Sequence, residues 1–87
     1  MQYKFKKPFK YGNETIETVE LKEDLTAGDM VRVGNANGDG DKRAEMVVAA
    51  TGWPLLKVSK MSAKDYISLC DIVASFLEDG ETDGREM

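Results

Sequence analysis

The sequence predicts one small α+β domain: an N-terminal antiparallel β-hairpin, three helices packed on it, and a disordered acidic C-terminal tail. Three observations carry this reading. Residues Tyr3 to Tyr11 alternate between aromatic and mostly basic side chains, which is the period of a half-buried strand. Later segments show helix caps, stops and apolar stripes at helical spacing. From Glu78 onward the chain is acidic and nearly free of apolar residues, a composition that cannot bury enough surface to order itself. The domain is therefore assigned to residues 1–78 and the tail to 79–87.

In the first strand, Tyr3, Phe5, Phe9 and Tyr11 fall on one side, and Lys4, Lys6, Pro8 and Lys10 on the other. Pro8 cannot donate to a ladder, so the strand belongs at an edge or exposes that position. Gly12-Asn13 signals a tight turn, and Thr15 to Leu21 returns. A two-residue turn sets Phe9 opposite Ile16 but throws Val19 and Leu21 onto the wrong face. A bulge near Glu17-Thr18, or a longer turn, restores the phase, because one inserted residue flips every later side chain.

The first helix starts at Thr26, a cap residue answered by Asp29 three positions on. It runs to about Val33, where Gly34 to Gly40 reads as a loop. The second helix fits Asp41 to Thr51, with Ala44, Val47, Val48 and Thr51 on one stripe and Gly52 as its stop. Trp53-Pro54 forces an extended bend, and Leu55, Leu56 and Val58 fold back as a short turn over the core. The third helix starts at the cap Ser62, with Asp65 three residues later. Tyr66, Leu69, Cys70, Val73, Phe76 and Leu77 line one face. This helix ends near Glu78.

Composition narrows the function. The chain has 87 residues, no histidine and one cysteine. The commonest general base and the commonest transition-metal ligand are missing, and a lone Cys70 forms neither an internal disulfide nor a thiolate zinc site. Ser62 and Ser68 have no histidine to activate them, and no glycine cluster leads into a phosphate-loop lysine. No catalytic, cofactor or metal residues are assigned. No apolar stretch spans a bilayer and no signal-peptide core is present, so a cytoplasmic protein is expected.

Two constellations are weighed and set aside. Asn35, Asn37, Asp39 and Gly40 have the spacing that opens an EF-hand calcium loop. The required bidentate glutamate would fall on Met46, with Glu45 one place early and turned away. The lysines of the first strand interleave with aromatics as in single-strand nucleic-acid binders. They lie on the opposite face from the rings, however, and the net charge of −4 opposes phosphate. A small nucleic-acid-binding or regulatory protein of a mobile element is the alternative reading.

What remains is a protein that binds another macromolecule. Trp53, on a bend between Gly52 and Pro54, and the helix face Tyr66, Leu69, Val73 and Phe76 are the candidate partner contacts. Their alternative role is core.

The order and spacing of several segments resemble a known family. They are Val19-Glu20-Leu21-Lys22-Glu23-Asp24-Leu25-Thr26-Ala27-Gly28-Asp29, then Ala49-Ala50-Thr51-Gly52-Trp53-Pro54, then Met61-Ser62-Ala63-Lys64-Asp65-Tyr66 and the helix to Phe76-Leu77. Together they look like the small tail assembly chaperones of contractile-tailed bacteriophages and Mu-like prophages, over roughly residues 8–78. Where Trp53 stands, that family usually has a leucine-like residue. The resemblance implies a non-catalytic protein that binds the long tape-measure protein, keeps it soluble before the tail tube forms, and leaves before the virion is complete. In some relatives a frameshifted C-terminal extension recruits the tail tube protein. The implied location is the cytoplasm of the bacterial host. Self-association is left open.

Overall fold

The computed structural model describes the backbone of residues 1–85 and the side chains of residues 1–77. The elements run β1 (Gln2–Tyr11), β2 (Glu14–Glu20), α1 (Ala27–Gly34), α2 (Gly38–Thr51), α3 (Leu55–Val58) and α4 (Ala63–Arg85). The two strands form one antiparallel hairpin, and the helices follow it, as the sequence predicts. The short turn after Pro54 is itself one turn of helix, α3. The assigned span of α4 runs past Glu78. The disordered tail expected over 79–87 lies outside the residues whose side chains are described.

The hairpin closes at Gly12, whose φ of 65° is in the left-handed region, while among the described residues no non-glycine residue has positive φ. A positive φ at the first turn residue alone is the sign pattern of a II′ turn, which matches strand twist. Phe9 pairs with Ile16 as expected, and Tyr3 pairs with Val19. The register does break between these pairs, but not where the sequence suggests. The surplus residues are in β1: Phe5 to Pro8 span the gap between Lys4 and Phe9, while only Glu17 separates Ile16 from Thr18. The reason is chemical. Pro8 has no N–H for the ladder, and the amides of Lys6 and Lys7 are turned to a carboxylate outside the sheet. The break restores the phase: Val19 and Leu21 are buried, and Phe9 and Ile16 also pack on the core.

That core has two layers. The hairpin contributes Phe5, Val19 and Leu21; α2 contributes Val47 and Ala50; α3 and the segment after it contribute Val58 and Met61; α4 contributes Leu69 and Val73. Val47, Leu69 and Val73 are completely buried. Truncating a leucine at such a site costs about 2–5 kcal/mol. Rings extend the core along the hairpin. Phe5 stacks on Trp53 at 6.0 Å between centroids and meets Phe9 edge-on at 5.2 Å.

Caps fix the helix ends. Thr26 and Asp29 form the expected capping box: Asp29 N–H donates to Thr26 Oγ1 at 3.2 Å, and Thr26 N–H donates to Asp29 Oδ2 at 2.9 Å. Gly52 terminates α2 at φ 73° and donates its N–H to the Val48 carbonyl at 2.8 Å. The loop between α1 and α2 is shorter than the glycine content suggests. It comprises Asn35 to Asn37, and α2 already begins at Gly38. Asp39 and Asp41 lie in the first helical turn, where the helix dipole favours negative charge. The calcium-loop geometry therefore does not form, since its later positions are helical.

Candidate partner-binding surface

The start of α4 sets the geometry of the surface. Ser62 Oγ accepts a hydrogen bond from Asp65 N–H at 3.3 Å, the cap that the sequence predicts. The Asp65 side chain does more than cap. It is completely buried and accepts hydrogen bonds from four donors. Tyr3 Oη donates at 2.7 Å, Lys6 N–H at 3.0 Å, Lys7 N–H at 3.1 Å and Ser62 Oγ at 3.0 Å. Burial on its own raises a carboxyl pKa. Here the hydrogen bonds from Tyr3, Lys6, Lys7 and Ser62 outweigh it and hold the group at about 2, below its ordinary 3.8. The same contact raises the Tyr3 phenol, mainly through burial and then through the Asp65 bond. One carboxylate thus fastens the irregular stretch of β1 to the first turn of α4.

Beside this junction lies an apolar groove of about 290 Å³. Its lining includes Ala44 of α2, Leu55 and Val58 of α3, Met61, and Ala63 and Tyr66 of α4. Leu55 is 55% exposed at its lip, and Leu56 and Ile67, each 60% exposed, stand nearby in the chain. Two further hollows adjoin it. One shares Ala44 and Leu55 and reaches Arg32 and Asn35; the other shares Tyr66 and reaches Arg43, Ile67 and Cys70. The three neighbouring hollows, from the α1–α2 loop to the middle of α4, are together called the trough. Apolar side chains gathered in an open concave strip are the usual footprint of a protein-binding site.

The residues singled out from sequence divide between core and surface. Leu69 and Val73 are fully buried and belong to the core, not to a contact surface. The apolar stripe of α4 is simply wider than the groove. Phe76 is half-buried against the same core. Trp53 packs inward on Phe5 and Phe9, with Lys57 Nζ 4.3 Å from its ring centroid. Trp53 N–H also donates to Thr51 Oγ1 at 3.1 Å. Trp53 therefore braces the bend and does not line the trough. Of the five, Tyr66 alone lines the trough.

Leu55, Leu56 and Ile67 are the residues that sequence reasoning missed. Ile67 carried a signal, since it is apolar yet lies off the helical stripe. Asp65 carried one too. It stands four and eight residues before Leu69 and Val73, which is the buried face of the helix.

The chemistry of the surface is quiet. Cys70 has its thiol pushed up by burial, which keeps it protonated and unreactive. Burial also raises the Tyr66 phenol, with Cys70 adding to the effect. Among the described residues, no group of three or more acidic, histidine or cysteine side chains could hold a metal ion. No helix among them is long and apolar enough to cross a membrane.

Comparison with known families settles the class. The family model "Phage tail assembly chaperone proteins, E, or 41 or 14" matches residues 2–78. The chain belongs to the phage tail assembly chaperone family. No curated protein and no solved structure matches it. The family match takes in the hairpin, the Asp65 junction and every residue that lines the apolar trough. Membership of this family implies interaction with other tail proteins.

Proposed function

We propose that this tail assembly chaperone binds the tape-measure protein through the trough between α2, α3 and α4 and keeps it soluble until the tail tube forms around it. The observation that carries the reading is the apolar groove lined by Leu55, Val58, Met61 and Tyr66 and open to solvent. A tape measure is a long helical protein with apolar faces that stay uncovered until assembly. An amphipathic helix laid into an apolar groove is a common way to cover such a face. The chain works without catalysis, in the cytoplasm of the bacterial host, and departs before the virion is complete. Contact with the tail tube protein belongs to the same assembly step.

Co-expression with the long tail protein tests this. With the chaperone present, the partner remains in the soluble fraction and the two purify together. If the partner is equally soluble alone and does not co-purify, the proposal fails.

A further inference from the structure

The one-turn helix α3 faces the wrong way for its composition. Its residues are Leu55, Leu56, Lys57 and Val58. Apolar burial alone would turn the two leucines inward and leave the lysine in solvent. The structure does the reverse. Leu55 and Leu56 are more than half exposed, Val58 is buried, and Lys57 is half-buried. At about 100° per residue, the two leucines fall on one side of the turn and the Lys57–Val58 pair on the other. Every other lysine of the chain is exposed.

Two rings hold Lys57 on the inner side. Its Nζ lies 4.3 Å from the ring centroid of Trp53 and 5.4 Å from that of Tyr11. Trp53 is itself packed on Phe5 and Phe9, so the seat for the cation is fixed to the hairpin. Among the described residues no carboxylate forms an ion pair with Lys57, and the faces of the rings are its counterpart. Few other restraints act on α3. It is four residues long and has no side-chain cap at its start, and so short a helix has almost no stability of its own. We infer that Lys57 is a positioning residue: its cation, held over Trp53 and Tyr11, sets the rotation of α3 that faces Leu55 and Leu56 outward. The consequence for partner capture rests on the reading of the trough as the partner site, since Leu55 stands at its lip.

Two substitutions in the full chain test this. Lys57→Met keeps an apolar stem on the rings and removes the charge, whereas Lys57→Arg keeps the charge. The accessibility of the Leu55 and Leu56 methyls is read by NMR as their broadening by a water-soluble paramagnetic probe. In Lys57→Met the broadening of both falls, because the leucines turn toward the apolar interior; in Lys57→Arg it matches the wild type. The thermal midpoint of Lys57→Met moves by less than about 4 °C. The tape-measure protein recovered with Lys57→Met on co-expression falls roughly threefold to tenfold, and Lys57→Arg recovers as much as the wild type. Unchanged broadening in Lys57→Met overturns the inference, whatever the partner does. An arginine variant that behaves like the methionine one also overturns it, since the cation is then not what sets the rotation. So does a larger fall in the midpoint of Lys57→Met, since Lys57 is then a support of the whole domain. If the leucines turn inward and recovery is unchanged, the positioning role stands and the reading of the trough as the partner site fails. The methyl signal needs no partner, so the two failures are told apart.

Discussion

Tyr3 and Asp65 lie 62 residues apart in sequence, and their side chains meet at 2.7 Å in the interior. This bond, with the two amide bonds from Lys6 and Lys7, couples the hairpin to the helix that forms one wall of the trough. Met61, Ala63 and Tyr66, the lining residues of that wall, all stand within four residues of Asp65. The wall of the trough is therefore held in shape from inside the fold.

Removing the acceptor leaves two backbone amides and a phenol without partners. Asp65→Ala is expected to destabilise the domain by about 2–4 kcal/mol, read as a lower urea midpoint. Tyr3→Phe removes one donor and costs about 1 kcal/mol. The double variant loses less than the sum, because both changes break the same bond.

Asp65 also sets a pH dependence. Its folded pKa of about 2 lies below the ordinary 3.8. Between those values the unfolded chain binds the proton more readily than the folded one. The stabilisation is complete above about pH 4 and is lost as pH falls toward about 2. Urea midpoints measured across that range should fall more steeply for the wild type than for Asp65→Asn. Parallel curves would show that another carboxylate is responsible.

Trp53 and the trough should separate cleanly. Trp53→Ala removes the ring stacked on Phe5 and costs about 3–5 kcal/mol if the site behaves as core. Trp53→Phe keeps an aromatic ring in place and is expected to leave partner capture unchanged in a pull-down. Loss of capture in a folded Trp53→Phe protein would put the contact on the bend.

Surface variants give the opposite pattern. Leu55→Glu and Ile67→Glu alter side chains more than half exposed, so the thermal midpoint moves by no more than about 0.5 kcal/mol allows. Each is expected to reduce partner capture sharply, because it places a charge where an apolar stripe must dock.

Much of the fold is legible in the sequence because its local signals agree. The alternating rings of β1, the Thr26-Asp29 box, the Gly52 stop and the Ser62 cap each state one element on their own. The register break is harder. Sequence shows that Phe9–Ile16 and Val19 are out of phase, but which strand takes the surplus depends on Asp65, a residue from the far end of the domain. The start of α2 is misread for a related reason. Gly38 and Gly40 argue for loop, whereas the tertiary fold and the acids of the first turn support helix. The surface is the least legible part. The stripe Tyr66, Leu69, Val73, Phe76 fixes a helix face, and only packing shows that Leu69 and Val73 are inside while Leu55 and Ile67 are outside.

The most direct measurement is the solubility of the tape-measure protein co-expressed with the wild-type chain or with its Leu55→Glu variant, at matched chaperone levels. The account predicts a soluble, co-purifying partner with the wild type and a precipitated one with a variant that is itself folded. A partner kept soluble equally by both would contradict it and move the contact away from the trough.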